Sequence, residues 1–149
     1  MLDRLRPLYI EELGLEKSIQ TLLQNARAQA PGLKLTSNID GRLNGIDGLR
    51  ARTVYRVIQE GITNVLRHAG AQATNVDAGI KDGQLIVEIS DDGVGFPPDC
   101  VFGRGLTGMQ ERVRALSGTL ELLRERGRTC VRCRLPAESA AEAPAPREA

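Results

Sequence analysis

The chain has 149 residues, with 20 Lys and Arg against 19 Asp and Glu, a net charge of +1, and 41% hydrophobic and 26% charged residues. That size and balance fit one globular domain with a sizeable core, and the near-neutral charge excludes a general affinity for nucleic acid. Aromatic residues make up 3% with no Trp, too few for a base-stacking surface, and no apolar run approaches the roughly 18 residues of a membrane span.

Leu2, Leu5, Leu8 and Leu13, with Pro7 among them, read as a helical end or a linker that packs on something else. Leu15, Ile19, Leu22, Leu23 and Ala26 keep helical spacing to about Ala30, where Pro31-Gly32 stops the helix. Leu33, Leu35, Ser37 and Ile39 alternate as a half-buried strand, and the glycines and aspartates between Asp40 and Gly48 are turn material. A long helix is expected from Leu49 to His68, ended by Gly70. Strands follow at Thr74 to Ile80 and Leu85 to Ile89, joined by a hairpin turn centred on Asp82-Gly83. Met109, Val113 and Leu116 mark another helix. Thr119 to Leu123 and Arg128 to Leu135 form a closing hairpin around Gly127. From Pro136 the tail is rich in Ala, Glu and Pro and is expected to be disordered. The order predicts an α+β fold, a two-layer α/β sandwich whose mixed sheet carries its helices on one face.

Three cysteines, an odd number, argue against a disulfide framework. Cys130 and Cys133 are formally a C-x-x-C pair. Strand geometry puts Cys133 inward with Val131 and Leu135, and Cys130 on the opposite face.

Three stretches carry chemistry. In the long helix, at about 100° per residue, Val54, Val57, Ile58, Gly61, Ile62, Val65 and Ala69 share an apolar face. Glu60, Asn64 and Arg67 share the opposite side, and Glu60 and Asn64 are i,i+4 neighbours. Two hard oxygens with room for water suit Mg²⁺, which keeps most of its waters and bridges to phosphates. Asp91-Asp92-Gly93-Val94-Gly95 directly follows a strand. A carboxylate there accepts a hydrogen bond from an exocyclic amine such as adenine N6, and the glycines let a flat ring approach. Gly103-Arg104-Gly105-Leu106-Thr107-Gly108 at a helix start offers free backbone N–H groups to phosphate. Its spacing also matches the dinucleotide fingerprint, but Pro97-Pro98-Asp99 stands where that motif needs a hydrophobic strand.

Together these stretches resemble the ATP-binding (Bergerat) fold shared by gyrase, Hsp90, MutL and the histidine kinases. Gln59 to Ala69 looks like its N box, Asp91 to Gly95 its first glycine box and Gly103 to Gly108 its second. The resemblance implies ATP and Mg²⁺ as cofactors. It implies Asn64 as metal ligand and Glu60 as support for the metal and its waters, these two being the catalytic residues. Asp91 would hold adenine beside Gly93 and Gly95, with Thr129 assisting through water. Gly103, Gly105, Leu106 and Gly108 would line the phosphates under a short lid at Pro97 to Phe102, with His68 nearby.

Leu5-Arg6-Pro7, Glu12-Leu13-Gly14-Leu15, Arg67-His68-Ala69 and Gly105 to Arg112 are similar to nitrate-sensor-like and thermosensor-like two-component sensor kinases. That subfamily implies a response regulator with a helix-turn-helix output domain as partner, a homodimer in the full-length protein, no direct nucleic-acid contact, and a cytoplasmic domain tied to a membrane only through an upstream segment. It also implies residues 1–14 as the end of a dimerisation helix, 15–136 as the catalytic domain and 137–149 as tail. The family phosphorylates a histidine on a dimerisation helix. The one histidine here, His68, lies inside the N box, so the acceptor belongs elsewhere. The rival readings within the superfamily are an ATP hydrolase with Glu60 as general base, a serine kinase acting on a sigma-factor regulator, and a binding module without chemistry.

Overall fold

The computed structural model describes residues 13–46, 48–69, 71–93 and 104–137. Helix α1 spans Leu15–Gln29, strand β1 Lys34–Ile39, and a 3₁₀ turn Gly41–Gly45. Helix α2 covers Gly48–Asn64 and passes into a π-helical turn at Val65–Ala69. Strands β2 (Ala73–Lys81) and β3 (Gln84–Asp91), helix α3 (Arg104–Ala115), and strands β4 (Thr119–Glu125) and β5 (Arg128–Pro136) complete the chain.

The five strands form one sheet in the order β1-β2-β3-β5-β4. β1 and β2 run parallel and the other pairs antiparallel, so the sheet is mixed as expected. Both antiparallel hairpins turn on two residues with positive φ, Asp82-Gly83 (54° and 77°) and Arg126-Gly127 (53° and 77°). Positive φ at both central positions gives the turn the twist of its strands.

Alternation along the strands sends one set of side chains into a single core: Val76 and Ala78 of β2, Leu85, Val87 and Ile89 of β3, and Val131, Cys133 and Leu135 of β5. Against them lie Leu15, Ile19 and Leu23 of α1, Val54, Val57, Ile58 and Ile62 of α2, and Met109 and Val113 of α3. Gly61 lets α2 lie close on the sheet, since a Cβ there would sit 3.0 Å from Cδ1 of Ile89.

Burial pushes the Cys133 thiol up to about 12, while Cys130 is half-buried on the outer face. The thiolate is the reactive form. Maleimide at pH 8 is therefore expected to spare Cys133 in the folded chain and to label it once urea unfolds the domain, as peptide mass spectrometry will read.

The structure refines two expectations. The long helix does not stay α-helical to His68. Past the switch at Val65 side chains leave the α-helical spacing, so Arg67, which is exposed, no longer shares a stripe with the half-buried Glu60 and Asn64. The last helix begins at Arg104, so Gly105 and Gly108 lie inside its first turns rather than ahead of it.

Candidate functional site

Hydrogen bonds and close contacts fix which way the helices run over the sheet. At its start α2 is tied to the far end of β5, where Nε of Arg50 donates to the Ala137 carbonyl at 3.1 Å. Ala137 in turn donates its N–H to Gly83 beside the first residue of β3. Eleven residues later Gly61 rests on Ile89. Helix α2 therefore runs in the direction of β3, and Asn64, one turn beyond Gly61, reaches the end where β3 closes on Asp91.

Helix α3 runs the other way. Its last turn and Gly118 pack on Leu135, and Gln110 donates to the Leu120 carbonyl at 3.3 Å, opposite Cys133. Its first turn thus points toward the same Asp91 end. The fold brings the N-box helix face, the end of β3 and the start of α3 to one end of the sheet.

That end carries a polar row where the core would otherwise continue. Thr74, Asp91 and Thr129 are direct cross-strand partners on β2, β3 and β5. All three are buried, 2%, 5% and 4% exposed. The Thr74 hydroxyl donates to the Ser90 carbonyl at 2.7 Å. Asp91 accepts the Gly93 N–H at 2.8 Å. Thr129 accepts from Nη1 of Arg124 at 3.0 Å. Desolvation raises the Asp91 carboxyl above its ordinary range, although the Gly93 N–H opposes this. Among the described residues the Gly93 N–H is the one donor to Asp91, and a carboxyl so buried has acceptor capacity left.

The neighbouring carboxylate does different work. Asp92 faces out and accepts the N–H groups of Ala73 and Gln72 at 3.0 and 2.9 Å, which lower its carboxyl. It pins the start of β2 to the end of β3, where Asp92 also donates its own N–H to Ala73. The pair thus splits into an inward acceptor and an outward clamp.

On α2, Glu60 and Asn64 sit one regular turn apart, both half-buried. Among the described residues the buried amide nitrogen of Asn64 has no hydrogen-bond partner. A buried amide NH₂ in that condition has donor capacity left for a ligand. Among the described residues no three His, Cys, Asp or Glu side chains gather to hold a metal. The donor set fits an ion that keeps its waters and completes its shell from phosphates, not one held in an all-protein cage.

Gly108 is exposed, and nothing lies within 4 Å of where its Cβ would be. Neither packing nor positive φ demands glycine there, and inside a helix it costs about 1 kcal/mol relative to Ala. The backbone of Gly105 and Leu106 lies in the first turn of α3, whose leading N–H groups have no intrahelical partner. Gly93 is buried beside Asp91. The His68 backbone belongs to the π-helical turn. Gly95, Gly103 and the stretch from Pro97 to Phe102 lie outside the described residues.

Sequence reasoning did not find Thr74, Arg124 or the clamp role of Asp92. Alternation places Thr74 on the inner face, but only the strand register puts it opposite Asp91.

The family model described as histidine kinase-, DNA gyrase B-, and HSP90-like ATPase matches residues 50–139. The signal transduction histidine-protein kinase/phosphatase UhpB of Salmonella typhimurium is 38% identical over 125 residues, 82% of this chain and 25% of that protein. The sensor histidine kinase NarS of Mycobacterium tuberculosis is 34% identical over 126 residues, 80% of this chain and 28% of its own length. The chain thus spans roughly a quarter of these relatives. A blue-light activated histidine kinase of Erythrobacter litoralis superposes with a TM-score of 0.77 at 22% identity, covering 91% of this chain and 47% of that one, a likeness of fold.

Proposed function

Because the chain belongs to the family of histidine kinase-, DNA gyrase B-, and HSP90-like ATPases, we propose that it is the ATP-binding catalytic domain of a two-component sensor histidine kinase. In this reading it binds Mg-ATP and passes the γ-phosphoryl to a histidine on a dimerisation helix outside this sequence. The phosphoryl group then goes to an aspartate on a response regulator with a helix-turn-helix output domain. The parent protein acts as a homodimer, and the domain works on the cytoplasmic side without touching nucleic acid. A membrane link, if the parent has one, comes from another segment. No helix among the described residues is long and apolar enough to cross a bilayer.

The observation that carries the reading is the buried, donor-poor Asp91 carboxylate at the end of the sheet where Asn64 and the start of α3 also arrive. Asp91 accepts the adenine amine. Thr129 supports the same edge of the base, and Gly93 and Gly95 give it room. The backbone of Gly103 to Gly108 takes the phosphates, with His68 close to them. Asn64 would hold the metal, and Glu60 would support the metal and its waters. When bound, Mg²⁺ supplies charge neutralisation across the phosphates. Residues 15–136 form the catalytic domain, with 1–14 the end of the dimerisation helix and 137–149 the tail.

Titration calorimetry with ADP, with and without Mg²⁺, tests the assignment. Wild type is expected to bind the magnesium complex more tightly than free ADP. Asn64→Ala is expected to bring the two affinities together while leaving the melting temperature within a few degrees. Absence of any heat at millimolar Mg-ADP sinks the proposal.

A further inference from the structure

Arg124 lies across the hairpin from Thr129 and is exposed, yet it sends a guanidinium N–H to the buried hydroxyl beside Asp91. A hydroxyl has one proton and two lone pairs. Arginine only donates, so the contact consumes a lone pair and leaves the Thr129 proton uncommitted. Among the described residues, the Thr129 hydroxyl makes the one hydrogen bond it accepts from Arg124.

We propose that Arg124 is a positioning residue for base selection: by donating to Thr129 it turns that hydroxyl into a hydrogen-bond donor toward the nucleobase. This rests on the reading of Asp91 and Thr129 as the base-facing pair. Asp91 presents an acceptor and Thr129 a donor. Adenine answers with a donor at N6 and an acceptor at N1. Guanine offers the reverse, an acceptor at O6 and a proton on N1, and is opposed at both places. One intervening water preserves the sense. A water that accepts the Thr129 proton has both of its own protons left, so it too meets the base as a donor. Without Arg124 the hydroxyl is free to rotate and offer a lone pair, which guanine N1–H can use.

The test is the ratio of ADP to GDP affinity, measured by calorimetry on the whole chain. Arg124→Met keeps the apolar stem and removes the donors, and is expected to lower that ratio about 3- to 10-fold, the scale of one hydrogen bond. Arg124→Lys retains a donor and is expected to restore most of the preference. In a Thr129→Val background Arg124→Met is expected to leave the ratio unchanged. A purely structural role for Arg124 weakens both nucleotides alike and does not alter the ratio. An unchanged ratio for Arg124→Met beside a wild type that prefers ADP overturns the inference. So does an equal drop in the Thr129→Val background. A wild type that does not discriminate between ADP and GDP fails one step earlier, at the assignment of the base-facing pair, and takes the inference with it.

Discussion

Asp91→Asn is expected to lose adenine-nucleotide affinity by about 10- to 100-fold, the worth of a hydrogen bond to a charged group, while the unliganded domain melts at the same temperature or higher. The two effects share a cause. Burial raises the Asp91 carboxyl, so the folded chain holds that proton more tightly than the unfolded chain. Stability from this group therefore falls as pH rises from the unfolded value, about 3.9, through the raised folded value, and stays low above it. Above the raised value the ionised carboxylate is a cost, which Asn removes while keeping an oxygen for the Gly93 N–H. A ligand amine bonds the ionised form more strongly than the protonated one, so wild-type affinity is expected to weaken as pH drops through the raised value, and the Asn variant to lack that pH step. Calorimetry against pH and thermal melts of the two proteins check both halves. A variant that binds ADP like wild type removes Asp91 from the site.

Gly118→Ala is expected to be strongly destabilising. Helix α3 ends in a Schellman arrangement, with the Gly118 N–H bonded to Val113 and the Ser117 N–H to Arg114, at 2.9 Å each. The left-handed residue that such endings usually give to glycine is Ser117, with φ of 66°. Gly118 is there for space instead. A Cβ would collide with the Arg134 carbonyl and stand 2.8 Å from Cβ of Leu135 and 2.9 Å from Cγ1 of Val113. Backbone on one side and core on the other leave nothing that yields cheaply. We expect a loss of about 3 kcal/mol, the upper range for overpacking, and a melting temperature lower by on the order of 10 °C. Ser117→Gly relieves the left-handed residue and is expected to raise stability. If Gly118→Ala melts with wild type, the close packing of α3 on β5 is wrong.

These two residues also show what a sequence can and cannot disclose. Strand alternation and the Asp82-Gly83 and Gly127 turns placed both hairpins to within a residue or two, because turn chemistry and period-two patterning are local. Asp91 stood out for the same reason, as a carboxylate at a strand end before glycines. The register that sets Thr74 and Thr129 on either side of it depends on pairing between distant segments, so their polar row was not legible. Nothing in the local sequence sets Arg124 apart from the chain's other arginines. The π-helical turn at Val65 has no proline or glycine of its own to announce it. The reason Gly118 must be glycine lies on β5, far away in sequence.

The opposed directions of α2 and α3 have an electrostatic consequence. Aligned peptide dipoles leave a helix about half a charge positive at its first residue and half a charge negative at its last. Here the positive pole of α3 and the negative pole of α2 with its π-helical turn arrive at the same end of the sheet. An anion accompanied by a cation can set each partner against the pole that attracts it, whereas a bare polyanion meets one pole that repels it. The scaffold itself thus favours a neutralised salt over a naked anion, before any side chain is counted.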